Sequence, residues 1–346
     1  MRVNIIGGGL AGCALAFTLK QAGAEPVIYE ASDTIASGAS GNDVGLYNPR
    51  FTAQFDAVGQ FYSKAFFEAL KLFWIFGDDI DWNPCGALHL INDDKKARRF
   101  PKTVESWGWD EKEMRIISAL EASEVSGVPI AKDCLFLANS GFISPKKLCH
   151  RYVEGVKIWL NTPVSDLSDL DGVTVLACGM GCLAFDQAAH IPLKAVRGQI
   201  TCIGETETSR DLKTTIGYGG YIAPSKGGAH CLGATFQRWL DHSDLLPEDD
   251  QANLDKLSEN VPALKGVYFI KAARASVRTT ASDHFPVVGQ LDENTYISAA
   301  HGSHGILSSL LSAKILTNNV INLQCGMGGD VLSALSPDRF DRSNAT

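Results

Sequence analysis

Long apolar runs are what this sequence most plainly lacks. No stretch of its 346 residues reaches the ~20 apolar positions of a membrane-spanning helix. The first 24 residues are apolar enough to imitate a secretory leader, but "GGG" interrupts them at once and no small-residue cleavage site follows. The expectation is a cytoplasmic protein. Basic excess is missing too: 31 lysines and arginines against 39 aspartates and glutamates give a net charge of −8. That balance argues against a broadly basic nucleic-acid surface, though not against a local patch. A disulfide framework is absent, since nine cysteines scattered from Cys13 to Cys325 form an odd, dispersed set that reads as reduced thiols. Cys178 and Cys182 in "ACGMGC" have no second ligand pair, and His89, His150, His190, His230 and His242 show no ligand spacing. No metal site is expected. There is no internal repeat, low-complexity tract or linker.

Glycine, by contrast, is plentiful at 33 residues, which suits tight turns and close approaches of backbone to ligand. Hydrophobic content of 45% with 20% charge describes a globular chain, and the length calls for two domains, possibly interleaved.

Along the chain, "RVNII" reads as a strand, "GGGLAGCALAFTLKQAG" as a turn entering a helix that stops at Gly23, and "EPVIYE" as a second strand. Residues 31–50 are too irregular for either structure. Residues 55–76 form an aromatic-rich core helix, "CGALHLIN" a strand, and 103–140 a mixture of short elements. Ser144 and Pro145 cap a new helix. "VKIWLNTPVSDLSDL" gives short strands and "VTVLACG" a buried one. Between 198 and 280 the runs "GQITCI", "GGYIAPS" and "HCLGATF" suggest an antiparallel sheet around one helix near 249–260. The chain closes with strand "TYISAA", turn "HGSHG" and helix "ILSSLLSAKILTNN".

Gly7, Gly9 and Gly12 form G-x-G-x-x-G between the first strand and helix. In that pattern the first glycine permits the turn, the second admits a pyrophosphate and the third packs helix on strand, with the helix N-terminus facing the phosphates. Glu30 ends the next strand, where a carboxylate accepts ribose hydroxyls and disfavours a 2′-phosphate. The βαβ alternation stops there instead of continuing through two mononucleotide halves, and its missing strands return as "VTVLACG" and "YISAA". That interruption points to FAD rather than NAD. The expected fold is α/β and α+β: a Rossmann-type FAD-binding domain (1–80, 142–198 and 278–346) interleaved with a mixed or antiparallel-sheet substrate domain (81–141 and 199–277).

One charge stands out. Arg278 lies in "ASVRTTASDHFPVVG", where Val277, Val287 and Val288 look made for burial, so it needs an anion. Asp283 or a backbone carbonyl would make it a structural bridge; a bound carboxylate would make it a clamp.

The runs "IIGGGLAG", "GASGN", "LACG", "VRGQ", "GGYIAPS", "DHFPVVG" and "LSPDR" occur in an order that resembles the D-amino-acid-oxidase superfamily over nearly the whole chain. More closely, they resemble the FAD-dependent domain of the bifunctional tRNA 5-methylaminomethyl-2-thiouridine biosynthesis family. The chain starts at the FAD strand, so the expectation is the oxidoreductase half without its methyltransferase, which another protein would supply. The resemblance implies oxidation of a CH–NH bond: removal of the carboxymethyl group from 5-carboxymethylaminomethyl-(2-thio)uridine at the tRNA wobble position. It implies substrate contacts by Arg278 and Tyr221, and no assigned acid or base. It also implies flavin contacts by Ser40, Gly41 and Asn42, by Val164, by Ala177 and Gly179, and by Gly302, Ser303, His304 and Gly305. The family usually has arginine where His304 stands. Alternatives are a glycine- or sarcosine-type amino-acid oxidase and a flavin-binding protein without turnover.

For tRNA, two basic runs are available: Lys95, Lys96, Arg98, Arg99 and Lys102, with Phe100, Trp107 and Trp109 nearby to stack bases, and Lys146, Lys147 and Arg151. A solvated helix face explains the first run equally well.

Overall fold

Two large sheets organise the chain in the computed structural model, which describes residues 1–323 and 326–340. Cys325 and the end of the 278–346 segment lie outside the described residues.

The first sheet begins with Arg2–Ile6, buried beyond its first residue. The Gly-rich turn then enters the helix Leu10–Gln21, which packs against the late helix Gly305–Val320. Glu25–Tyr29 returns parallel to the first strand. Across the sheet the order is Val287–Gln290, Thr295–Ala299, Val173–Leu176, Arg2–Ile6, Glu25–Tyr29, Lys157–Trp159. Every neighbouring pair is parallel except the hairpin Val287–Gln290 with Thr295–Ala299. The two strands expected to return late do so on one side of Arg2–Ile6, Val173–Leu176 beside it and Thr295–Ala299 beyond. Strands covered on both faces need apolar residues throughout, which is why "VTVL" and "YISA" were readable.

The second sheet runs Ile270–Ala281, Leu193–Gly204, Ala229–Gly233, Tyr221–Ile222, Thr215–Gly217, Ala87–Leu90, Cys134–Leu137, Met114–Ile117. It is antiparallel apart from Thr215–Gly217 beside Ala87–Leu90. The fold is therefore the expected mixed α/β one. Leu193–Gly204 and Ile270–Ala281 are its longest strands, twelve residues each, paired from Leu193↔Ala281 to Ile203↔Ile270. Two of the four sequence-drawn boundaries, 198/199 and 277/278, fall inside them.

Several local expectations change. Within 31–50, Gly45–Tyr47 forms a short ribbon with Gly141–Ile143. The basic run lies on the helix Asp94–Trp107, started by the Asp93 carboxylate accepting Lys96 N–H, stopped by Gly108 and carrying Pro101 inside it. Of "VKIWLNTPVSDLSDL" only Lys157–Trp159 is strand. In the helix Ala57–Phe76, Phe61, Phe66 and Phe73 are core residues as expected, but Trp74 is 77% exposed. The helix Gly329–Leu335 was not anticipated. Among the described residues no helix is long and apolar enough to cross a membrane.

The Arg197 side chain, from "VRGQ", is wholly buried, with both Nη atoms paired and Nε without a hydrogen-bond partner among the described residues. Its Nη1 meets Asp249 and donates to Gln237 Oε1 at 2.5 Å; its Nη2 donates to Gln199 Oε1 at 3.0 Å and to the Asp244 carbonyl. This ties the central strand to the helix Pro247–Asn260 and to the loop before it. Asp249→Ala leaves a buried guanidinium without its anion, so it is expected to lower unfolding free energy by about 3–5 kcal/mol. Urea denaturation of wild type and variant measures this.

Candidate functional site

A cavity of about 1530 Å³ opens at the carboxyl end of Arg2–Ile6 and runs to the second sheet. Pockets for one drug-sized ligand measure roughly 300–1,000 Å³, so there is room here for a dinucleotide and a second molecule.

At one end, Gly7 has φ +110 and a Cβ there would stand 2.7 Å from the Ala177 carbonyl oxygen. A Cβ on Gly12 would stand 2.0 Å from the Gly7 carbonyl oxygen, so this glycine lets helix and turn close on each other. Gly9 meets only Ser40 Oγ, at 3.2 Å, and faces the cavity. The helix that follows has no acidic side chain in its first turn. A backbone floor at a helix N-terminus is what a pyrophosphate requires.

Glu30 lines this end, and both its oxygens already hold backbone: Oε2 accepts Gly8 N–H at 2.7 Å and Oε1 accepts Ser32 N–H at 2.8 Å. A carboxylate retains further lone pairs for ribose hydroxyls. Val164, Ala177 and Gly179 line the same wall. Ser40 Oγ accepts Leu10 N–H at 2.9 Å, capping the helix, and Asn42 also faces inward. Gly41 stays out of the wall: a Cβ there would meet the Ala36 carbonyl oxygen at 2.4 Å and Arg274 Nη2 at 2.5 Å. Arg274, which sequence reasoning missed, clamps this loop by donating to Asn42 Oδ1 at 3.0 Å and the Ser37 carbonyl at 2.8 Å.

A second helix N-terminus points into the cavity from the turn Gly302, Ser303, His304 and Gly305, again without an acid in its first turn. His301 and His304 are both pushed down to about 4 by burial. Ser308 Oγ donates to the His304 carbonyl, so it accepts from His301 Nδ1, and His301 Nε2 accepts from Ser298 Oγ. His304 Nδ1 donates to the Asn48 carbonyl at 3.2 Å. These rings are neutral at ordinary pH, so His304 brings no fixed charge to this turn.

Arg278 and Tyr221 face each other's end of the cavity from the second sheet. Arg278 Nη1 is shut off from solvent and has no hydrogen-bond partner among the described residues. Asp283 is not its partner, because Arg339 Nε holds that carboxylate at 2.8 Å. Gly198 makes the placement feasible: a Cβ there would stand 2.2 Å from Arg278 Nη1. Burial pushes the Tyr221 phenol well up, so it stays protonated, and its Oη lies 3.8 Å from Cys231 Sγ. Burial also lowers the Arg278 pKa.

The basic runs divide. Lys96 and Arg99 turn into the cavity, whereas Lys95, Arg98 and Lys102 are exposed. The stacking role sketched for the aromatics fails: Phe100 and Trp107 are core residues, and Trp109 stacks on Phe66 with its Nε1 donating to Ser63 Oγ. Lys147 pairs with Asp81, and Arg151 with Asp79 and Glu154.

The sequence profile of the family described as FAD dependent oxidoreductase matches residues 2–319. Proteins named tRNA 5-methylaminomethyl-2-thiouridine biosynthesis bifunctional protein, from Chromobacterium violaceum and Idiomarina loihiensis, are each 30% identical to the chain over 97% and 98% of it. The chain spans 59% and 58% of their lengths. Among solved structures, glycine oxidase from Geobacillus kaustophilus superposes with a TM-score of 0.84 at 20% identity, covering 98% of this chain and 99% of that one. An L-proline dehydrogenase from P. horikoshii gives 0.81 at 17%, covering 99% and 98%. At these identities the likeness is one of fold.

Two outcomes test the geometry. Gly9→Ala is expected to cost the apoprotein no more than about 1 kcal/mol yet strip bound flavin on purification, whereas Gly12→Ala costs about 2–3 kcal/mol as well. Flavin content and urea unfolding separate them. Because the unfolded chain binds protons near pH 6.5 that buried His301 and His304 refuse until about pH 4, stability is complete above pH 6.5 and falls as pH drops toward 4. In His301→Gln the slope of unfolding free energy against pH flattens by about one proton across that window.

Proposed function

The chain belongs to the FAD dependent oxidoreductase family, and from that premise we propose that it removes the carboxymethyl group from 5-carboxymethylaminomethyl-(2-thio)uridine at the tRNA wobble position. The observation that carries the reading is Arg278, which lines the cavity and has a buried nitrogen without a partner among the described residues. The substrate is a secondary amine bearing CH2–COO−, and that carboxylate is the anion the arginine lacks. The names of the relatives at 30% identity supply the nucleoside.

When bound, FAD supplies a two-electron acceptor for the CH2 carbon. The balance is secondary amine, water and oxidised FAD giving primary amine, glyoxylate and reduced FAD. The chain's own contribution is binding and placement. The glycine turn, Glu30, Ser40, Asn42, Val164, Ala177, Gly179 and residues 302–305 would hold the cofactor, with Gly41 closing its loop. Residues 1–80, 142–198 and 278–346 would form that cofactor domain, and 81–141 and 199–277 the substrate domain. Arg278 would clamp the carboxylate, and the protonated Tyr221 phenol would donate to it. No side chain need remove a proton if the amine binds neutral, and a cationic wall favours that form. A separate methyltransferase would act on the product.

The experiment is to incubate the FAD-loaded protein with tRNA from a strain lacking the activity and analyse the nucleosides. Loss of the carboxymethyl nucleoside with glyoxylate release supports the reading. Unchanged tRNA, with glycine or sarcosine bleaching the flavin anaerobically, would replace it with the amino-acid-oxidase reading. Bleaching by none of them would leave a flavin-binding protein without turnover. Arg278→Lys, which loses the planar fork, is expected to raise KM for the carboxymethyl substrate about tenfold or more at unchanged flavin content. Steady-state kinetics check this.

A further inference from the structure

Arg278 accounts for one anion, yet the cavity wall holds three more cations: Arg50, Lys96 and Arg99. Among the described residues only two carboxylates, Glu30 and Asp241, line it. Glu30 is occupied by Gly8 and Ser32.

The three cations are neighbours. Burial depresses Lys96 and Arg99 against the opposing pull of Asp93, and like-charge repulsion (Arg99 on Lys96, Arg50 on Arg99) adds a smaller push in the same direction as burial. His89 lies among them: burial, then Lys96, His304 and Arg99, push it down to about 3, so the ring is neutral. Each cation is held in place. Arg50 Nη1 donates to the His284 carbonyl at 2.5 Å, Lys96 Nζ donates to Asn92 Oδ1 at 2.5 Å, and the Arg99 guanidinium sits 5.1 Å from the Phe100 ring centroid. Asp93 lies 3.5 Å from Lys96 and also acts on Arg99, but that carboxylate is exposed. Arg99 Nε and His89 Nε2 are buried with no hydrogen-bond partner among the described residues. Unsatisfied polar atoms beside clustered cations are costly unless a ligand completes them.

We propose that Arg50, Lys96 and Arg99 form a second anion site in the cavity, built to take a backbone phosphate of the polynucleotide that carries the reacting uridine. This rests on the tRNA reading given above. A glycine-like substrate has one carboxylate, which Arg278 satisfies, and it would leave this cluster unused. A phosphodiester beside the reacting nucleoside supplies the missing charge, and its oxygens match guanidinium and ammonium donors.

The test compares two substrates of the FAD-loaded protein: free 5-carboxymethylaminomethyluridine, which has no phosphate, and the same nucleoside within an anticodon stem-loop. In Lys96→Ala with Arg99→Ala, KM for the stem-loop is expected to rise about tenfold or more while KM for the free nucleoside stays within about twofold. The slope of log affinity against log salt flattens by about one to two units. Lys95→Ala with Arg98→Ala, on the exposed face, should spare this difference. Equal effects on both substrates, no effect on either, or a full effect of the outward pair overturns the site. Arg50→Gln repeats the comparison if the double variant loses flavin. Inorganic phosphate, titrated against the bound-flavin absorbance, tests the site without turnover: its half-saturation should rise about fivefold or more in the double variant. If phosphate responds so but only free glycine or sarcosine is oxidised, the tRNA reading fails and the phosphate assignment goes with it, leaving an anion site for another substrate. Identical phosphate titrations overturn the site whatever the substrate.

Discussion

An arginine nitrogen withdrawn from water with no anion beside it costs about 1–3 kcal/mol or more, and the chain spends several features on keeping Arg278 that way. The strand pair Leu193–Gly204 and Ile270–Ala281 fixes its backbone opposite Val196. Gly198, two residues further along the partner strand, leaves the space its guanidinium occupies. The obvious neutralising acid, Asp283, is held by Arg339 from the end of the described chain, through Nε and Nη2. A guanidinium kept unpaired by this much surrounding structure is poised for a ligand.

The same strand connects this arginine to the cofactor cradle. Arg274 precedes Arg278 by four residues, and an even separation on a strand puts both on one face. Arg274 holds the loop containing Asn42, and two residues earlier in that loop Ser40 caps the helix that begins at Leu10. Strand, loop and helix N-terminus thus form a rigid path between the proposed carboxylate clamp at Arg278 and the proposed phosphate floor at the glycine turn. Such a path suits chemistry in which two ligands must meet at a fixed distance, since small misplacement is costly in rate.

Most of the cofactor end was legible because its constraints are local. Gly12 answers a contact within a few residues and Glu30 follows from where Glu25–Tyr29 ends, although Gly7 also meets Ala177 beyond the distant strand Val173–Leu176. The late return of Val173–Leu176 and Thr295–Ala299 was readable because strands buried on both faces must be apolar throughout. What could not be read depends on pairings distant in sequence. Gly198 lay inside a motif already singled out, "VRGQ", but its purpose is visible only once Arg278 lies across it, and Arg197 needed Asp249. Trp107 and Trp109, set beside a basic run, looked available to bases; tertiary packing against Phe51 and Phe66 took them into the core. The helical period of the run "DDKKARRFPK" had the information to separate Lys96 and Arg99 from Lys95 and Arg98, since residues three apart share a face.

The distribution of charge bears on what the cavity admits. Over the whole chain acids outnumber bases, with a net charge of −8, so a polyanion approaching at long range meets no general attraction, and salt weakens what remains beyond about a Debye length. Inside the cavity the balance inverts, with Arg50, Lys96, Arg99 and Arg278 against Glu30 and Asp241. Three histidines on the same wall, His89, His301 and His304, stay neutral because they are buried. The positive field therefore comes from arginine and lysine rather than from histidine. Recognition by such a wall acts at contact distance. It rewards a substrate whose anionic groups can enter together with the reacting amine and gives little to a nucleic acid that only touches the surface.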